Sequence, residues 1–211
     1  MKSVAKFFSV IFHPVFVPVW LLTVLLWFAD NSLVLMQPGK KIILLITFSV
    51  FMTILPLLNV MILKYMGYLT GFEMDDRKER NLPFLIGMIY YAGLYYLISA
   101  SDIPLYYHAY VITGFFIVLF NYLINLKWKI SSHAIGAGGF SGALLAFSLL
   151  NRVEILTFIS ISFLFSGVIL SSRLILSKHS PAQIYVGYLS GFFLSLLIIP
   201  LSVLTLIHLL F

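Results

Sequence analysis

The residues of this sequence that could do chemistry gather in three short polar segments, at positions 73–83, 127–133 and 171–183. The second and third polar segments each hold a histidine, and all three hold lysine or arginine. An imidazole can act as a nucleophile or as a proton donor, and Arg and Lys bind phosphate oxygens. Together these residue types suit phosphoryl transfer, in which positive charge stabilises the oxygens around phosphorus.

The second polar segment sets His133 at the start of an apolar helix. Ser131 and Ser132 precede it, and serine at such a position caps the first turn, where free backbone N–H groups attract anions. Both serines are therefore candidate phosphate ligands.

The third polar segment combines a histidine with a partner that could orient it. Ser180 and Pro181 follow His179, and a pair of this kind begins a helix. Gln183 then lies one helical turn after His179 and faces its imidazole. Arg173, in the same segment, adds a cation for an anionic ligand.

The first polar segment is the most highly charged of the three. Its basic residues Arg77, Lys78 and Arg80 are candidate phosphate ligands. Its carboxylates, Asp75, Asp76 and Glu79, have two alternative roles. They either replace the carboxylate that a catalytic histidine needs, or they form ion pairs with the neighbouring cations. Each segment alone is typical of a charged loop at a membrane surface, and only their complementary residue types favour a shared site.

These segments resemble the motifs of the type 2 phosphatidic acid phosphatase superfamily. Ser172-Arg173, followed after five residues by His179, is similar to its third motif, Ser-Arg, five residues, His, three residues, Asp. Residues 131–133, Ser-Ser-His, resemble the second motif, Pro-Ser-Gly-His. Residues 77–83 loosely resemble the first, Lys, six residues, Arg-Pro.

The resemblance covers about residues 75–190 and implies roles for them. In that family the third-motif histidine attacks phosphorus and forms a phosphohistidine, the second-motif histidine protonates the leaving group, and no metal is needed. Carried over, His179 is the nucleophile and His133 the acid, while Gln183 orients His179. Arg173, Ser131 and the basic residues of the first polar segment would hold the phosphate. The implied substrate is a lipid phosphate or diphosphate of the phosphatidic acid, phosphatidylglycerol phosphate or polyprenyl diphosphate class.

The sequence also departs from the family pattern. Gln183 stands where the family has Asp, and a carboxylate-to-amide change in a comparable triad costs about 10⁴ in turnover. Ile130 and Ser132 replace the family's Pro and Gly, and Leu82 stands before Pro83 where Arg is expected. The chain is thus a diverged member at most, and the alternative is a non-catalytic lipid-phosphate binder or transporter that keeps the cationic pocket.

A further alternative comes from the acidic residues Glu73, Asp75 and Asp76. They are similar to the magnesium-diphosphate motifs of membrane prenyltransferases, although a second acidic cluster is missing. Otherwise we expect no metal and no cofactor, because no Cys and no paired His offer ligands. The expected partners are a lipid phosphate substrate and membrane lipids, whereas the oligomeric state cannot be derived from the sequence.

The composition requires most of this chain to face lipid. Hydrophobic residues make up 62% of the sequence and charged residues only 9%, with a mean hydropathy of +1.08. A soluble domain carries about 25% charged residues, so that class is excluded. Cysteine is absent, which removes disulfides and thiolate metal sites. The net charge of +6 shows no basic run typical of nucleic-acid binding.

The apolar runs predict an all-α, polytopic integral membrane helical bundle of about seven (six or seven) transmembrane helices in a single domain, residues 1–211. Each span needs roughly 20 apolar residues, and runs that are continuous rather than alternating exclude strands. The predicted spans are residues 7–29, 42–63, 84–100, 109–126, 134–150, 155–171 and about 182–211.

The first predicted span and two pairs of glycines have features that predict local structure. The first is too long for a signal peptide and could be bent by Pro14 and Pro18. It also contains His13, a functional candidate because histidine is costly inside a membrane, although a packed and hydrogen-bonded role is the simpler interpretation. The pairs Gly138/Gly142 and Gly187/Gly191, each four residues apart, predict close contacts between helices.

Seven spans place all three polar segments on one side of the membrane, here named face A, with face B opposite. Of the 13 Lys and Arg residues, ten lie on face A, which the positive-inside rule predicts to be cytoplasmic. Five of those ten are candidate phosphate ligands or their neighbours, and without them the count is five against three. We expect an integral protein of the bacterial cytoplasmic (inner) membrane with its N-terminus in the cytoplasm, although bacterial members of the resembling family commonly act on the outer face.

Overall fold

The computed structural model describes residues 1–29 and 36–210, and their regular structure is entirely helical. The α-helices are α1 (Lys2–Ile11), α2 (Val17–Val24), α3 (Pro38–Ser49), α4 (Leu55–Tyr65), α5 (Asn81–Ser99), α6 (Leu105–Asn125), α7 (Ser132–Asn151), α8 (Leu156–Ile175) and α9 (Pro181–Leu210). π-Helical segments extend α2 (Leu25–Ala29) and join α3 to α4 (Val50–Ile54), and a 3₁₀ turn (Arg77–Arg80) leads into α5. The predicted all-α fold is confirmed.

Six helical stretches in the described part of the chain are long and apolar enough to cross a membrane. They are Pro38–Tyr65, Arg77–Ser99, Leu105–Asn125, Ser132–Asn151, Leu156–Ile175 and Pro181–Leu209. The chain is therefore a helical integral membrane protein, and these six correspond to the second to seventh predicted spans. Because successive spans alternate in direction, the three polar segments all lie at face A. Phe211, the predicted end of the last span, lies outside the described residues.

The first predicted span is two helices rather than one. α1 ends at Ile11 and α2 begins at Val17, with Pro14 between them and Pro18 in the first turn of α2. Proline has no N–H to donate and its ring clashes with the preceding turn, so a helix does not continue through this stretch. The prediction of one continuous helix, merely bent, was wrong here, and the apolar helix Val17–Phe28 is shorter than a span requires.

The break between α1 and α2 lies against the middle of the bundle. Thr53, near the middle of Pro38–Tyr65, donates its hydroxyl hydrogen to the Val15 carbonyl oxygen at 2.8 Å. The Tyr110 hydroxyl donates to the Pro18 carbonyl oxygen, also at 2.8 Å. Irregular backbone is stable at membrane depth only when protein groups satisfy it in this way. The break therefore brings the end of α1 into contact with the interior.

The most extensive helix contact in the described part of the chain joins α7 to α9. A Cβ atom at Gly138 would overlap the carbonyl oxygen of Tyr188, and one at Gly191 would overlap that of Ile135. Only glycine permits this approach, so the predicted close packing at the glycine pairs is confirmed. Since α7 begins in the second polar segment and α9 follows the third, the contact holds those two segments side by side.

Candidate functional site

Hydrogen bonds join the second polar segment to the other two. A guanidinium nitrogen of Arg80, Nη1, donates to the carbonyl oxygen of Ile130 at 3.4 Å. The backbone N–H of Ser131 donates to the carbonyl oxygen of Gln183, also at 3.4 Å. Three segments that are far apart in sequence thus meet at face A.

Ion pairs join the first polar segment to the third. Lys178 Nζ lies 2.6 Å from a Glu73 oxygen and 2.9 Å from Asp75 Oδ2. These hydrogen bonds raise the pKa of Lys178, and the bond from Lys178 lowers the pKa of the Asp75 carboxyl. One half-buried lysine therefore engages both carboxylates.

The local geometry at His179 determines its tautomer. Gln183 Oε1 accepts a hydrogen bond from the backbone N–H of Ser180 at 3.1 Å, which fixes this atom as the amide oxygen. The same oxygen lies 3.2 Å from His179 Nδ1, so Nδ1 must carry the proton. Nε2 of a neutral His179 then presents a lone pair, as a nucleophile requires.

The protonation state of His179 follows from its surroundings. The residue is 8% exposed. Burial, and then the positive charges of Arg173 and Arg80, lower the pKa of His179 to about 4, against a smaller opposing effect of the hydrogen bond to Gln183. The imidazole is therefore neutral at pH 7 while the site holds no anion.

Two buried arginines lie within electrostatic range of this histidine. Arg80 is 7% and Arg173 is 6% exposed, and each lies within electrostatic range of the other. Within the described ranges neither guanidinium has a carboxylate oxygen within 4.0 Å, and Arg173 Nε has no hydrogen-bond partner. Glu73 and Asp75 act on Arg173 only at longer range, since both are paired with a lysine.

Lys129 adds a further positive charge at the edge of the group. Burial, and then the charge of Arg80, lower its pKa, with smaller contributions from Lys178 and Arg173 in the same direction. We name Arg80, Lys129, Arg173, Lys178 and His179 the cationic cluster. Its four lysine and arginine charges exceed the three carboxylates that act on it, Glu73, Asp75 and Glu79.

The end of α1 connects the cluster to the second histidine. Ser9 Oγ accepts a hydrogen bond from Arg173 Nη1 at 2.6 Å, and the Ser9 carbonyl oxygen lies 3.0 Å from His133 Nε2. Because a carbonyl only accepts, Nε2 of His133 is the donor. The ring of His13 packs edge-on against His133, with centroids 5.2 Å apart. His133 is also within electrostatic range of Arg173 and His179.

Ser9 is the site residue that sequence reasoning missed. A lone serine in an apolar helix carries no signal for such a role, and only Ala5 and Ser9 of α1 are buried. His13 had a signal, as a histidine within an apolar run. Its Nδ1 accepts the backbone N–H of Val15 at 3.4 Å, so it has both a packing partner and a hydrogen bond in the break.

Not every predicted phosphate ligand lies in the cluster. Arg77 donates to the carbonyl oxygens of Asn125, at 3.0 Å, and Leu126, which places its guanidinium at the C-terminus of α6. Lys78 is exposed.

The two serines that precede His133 have different partners. Ser131 caps α7 by accepting the N–H of Ala134, and Ser132 Oγ accepts from Asn121 Nδ2 at 3.0 Å. The hydroxyl of Ser131 therefore serves the helix N-cap, while that of Ser132 is held by α6.

The fold and this geometry define a class: a helical integral membrane protein with a buried cationic cluster around two histidines. Among the described residues no group of three or more His, Asp or Glu could hold a metal ion. Searches with family models, curated protein sequences and solved structures returned no match to this chain.

Proposed function

We propose that the cationic cluster binds the phosphate of a membrane lipid and that the protein hydrolyses this phosphate through a phosphohistidine at His179. The single observation that carries the proposal is the pair of buried arginines, Arg80 and Arg173, which act electrostatically on a neutral histidine and have no carboxylate within 4.0 Å in the described part of the chain. An uncompensated buried charge costs several kcal/mol, and a bound phosphate would compensate two at once.

The chemistry would proceed in two steps. In the first, His179 Nε2 attacks phosphorus, the bond from phosphorus to the leaving oxygen breaks, and that oxygen takes a proton from His133. In the second, water attacks phosphorus, the bond from phosphorus to His179 Nε2 breaks, and water gives a proton to His133 as inorganic phosphate leaves. Arg80 and Arg173 stabilise the equatorial oxygens in both steps. Gln183 holds Nδ1–H throughout, which keeps Nε2 directed at the phosphate.

We infer a lipid substrate because the cluster lies at one end of a membrane bundle. The substrate classes are phosphatidic acid, phosphatidylglycerol phosphate and polyprenyl diphosphates, and the protein would be a diverged type 2 phosphatidic acid phosphatase in the bacterial cytoplasmic membrane. The engagement of Glu73 and Asp75 by Lys178 favours this over a magnesium-diphosphate site of the prenyltransferase kind.

A second candidate is a lipid-phosphate binder or transporter without turnover. The observation that favours it concerns His133, whose Nε2–H is directed to the Ser9 carbonyl oxygen and not into the cluster. His133 can then protonate the leaving group only as an imidazolium, through a second proton on Nδ1, because Nδ1 of the neutral ring carries no proton. Gln183 also favours a binder without turnover, because its amide cannot offset the charge on an imidazolium.

The test is phosphate release from a panel of lipid phosphates by the purified protein in detergent, with and without EDTA. Release that survives EDTA, together with trapping of an acid-labile phosphohistidine, supports the hydrolase. His179→Ala is expected to abolish release and trapping while leaving lipid-phosphate binding largely intact, because Arg80 and Arg173 remain. His208→Ala, an exposed histidine near the other end of α9, is the matched control. Binding without release by the unaltered protein would favour the binder, and a strict need for magnesium would contradict both.

A further inference from the structure

A groove lies between α1 and α8 on the outside of the bundle. Its volume is about 530 Å³, within the range of roughly 300–1,000 Å³ found for ligand sites. The α1 wall includes Val4, Ala5 and Phe8, and the α8 wall includes Leu164, Gly167 and Ser172. Almost all of the lining is apolar.

The spacing of the lining residues gives the direction of the groove. On α1 they recur at intervals of three and four, and so form one face of that helix. Ala5 is 3% exposed, where α1 packs on α8. The groove therefore follows the two helices and can hold an extended chain.

Both walls of the groove adjoin residues at the cationic cluster along the chain. Ser172, which lines the groove, directly precedes Arg173, and Phe8, on the opposite wall, directly precedes Ser9. The hydrogen bond of 2.6 Å from Arg173 Nη1 to Ser9 Oγ thus joins the two walls beside the groove. If a lipid bound its phosphate at Arg173, its hydrocarbon tail would lie next to this groove.

We propose that this groove binds the hydrocarbon chain of the lipid whose phosphate occupies the cluster, so that the substrate reaches the site sideways from the membrane between α1 and α8. The proposal rests on the phosphate-binding part of the proposed function and not on turnover. Because bilayer lipid is as apolar as the groove, selectivity for a lipid phosphate must come from its head group.

Photo-crosslinking of the full chain in vesicles tests the proposal. The probes are phosphatidic acid and phosphatidylcholine with the same diazirine-bearing acyl chain, and the labelled peptides are mapped by mass spectrometry. Phosphatidic acid is expected to label α1 and α8 more than phosphatidylcholine does, and unlabelled phosphatidic acid should compete. Equal labelling by the two probes would mean that ordinary bilayer lipid fills the groove, and would overturn the proposal.

Gly167→Trp supplies the matching variant. A Cβ atom at Gly167 meets no other atom within 4 Å, so a large side chain can enter the groove without striking the backbone. Labelling by phosphatidic acid is expected to fall to the phosphatidylcholine level, whereas Gly39→Trp, at another helical glycine with no atom within 4 Å, should leave it unchanged. Retained selectivity in Gly167→Trp would contradict the groove assignment.

Phosphate release, scored separately, distinguishes the two proposals. Selective labelling without release refutes hydrolysis and keeps the groove. Release without selective labelling refutes the groove and keeps hydrolysis.

Discussion

Replacing Gln183 by glutamate tests how far the orienting partner of His179 limits the proposed reaction. Glutamine and glutamate have nearly the same shape, so the new carboxylate can keep an oxygen 3.2 Å from His179 Nδ1 and 3.1 Å from the Ser180 N–H. Only the charge beside the imidazole changes.

The size of the effect can be worked from this distance. At 3.2 Å and an effective dielectric constant of about 20, two unit charges interact by about 5 kcal/mol, equivalent to roughly four pKa units. Residue 183 is half-exposed, and solvent screening reduces the shift to roughly two to three units. The pKa of His179 should therefore rise from about 4 to roughly 6–7.

Two consequences for turnover oppose each other. At pH 7 a pKa of roughly 6–7 leaves at least about half of the imidazole neutral, a loss of at most roughly twofold. The carboxylate, however, stabilises the imidazolium-like charge that develops during attack, an effect worth up to about 10⁴ in a comparable triad. We expect a net rise in kcat of roughly 10²–10³ at pH 8.

The pH profile provides the sharper readout. His179 must be neutral to attack, so kcat/KM falls as the pH drops through its pKa in the free protein. The acid limb should lie near pH 4 in the unaltered protein and move upward in Gln183→Glu.

Gln183→Asp, with a carboxylate one methylene further from the ring, should give a smaller rise. Gln37→Glu, at an exposed position before α3, is the control. An active Gln183→Glu protein whose acid limb stays in place would refute the assignment of His179 as nucleophile, and inactivity in all forms would favour the binder.

Three further substitutions test the parts around the cluster. Arg173→Lys loses the forked donors that reach Ser9 and the phosphate, and should raise the KM for lipid phosphate; an unchanged KM would remove this residue from the site. Ser9→Ala leaves a buried charged donor without its acceptor and should lower kcat/KM by roughly 10–100-fold, whereas the exposed Ser3→Ala should not. Gly138→Ala forces a methyl group onto a backbone oxygen of α9 and should lower the melting temperature in detergent, and Gly39→Ala, in open space, serves as its control.

Several features of this protein could be predicted from the sequence because they depend on local geometry. Continuous apolar runs predict spanning helices, and the order of the spans alone places all three polar segments on one face. Ser131 caps α7, and Gln183 meets His179 one turn away, because helical spacing is the same in every helix. The glycine pairs predicted a close helix contact for the same reason, although not which helices form it.

Other features were decided by the tertiary structure. Arg77 and Arg80 are three residues apart in similar surroundings, yet one reaches the C-terminus of α6 and the other lies buried in the cluster. That division depends on how the 3₁₀ turn is seated against α6 and the start of α7. No sequence pattern encodes the rotation of one helix relative to another, because it results from packing over the whole interface.

Ser9 shows the same limit most clearly. It joins Arg173 to His133 although 164 and 124 residues separate it from them in sequence. The prolines predict that the first apolar run is irregular, but the position of its two halves depends on which neighbours satisfy the freed carbonyl groups. Thr53 and Tyr110 do so here. Residue type and spacing thus determine the helices and the side of the membrane on which the polar segments lie. Packing between distant helices determines which residues enter the site.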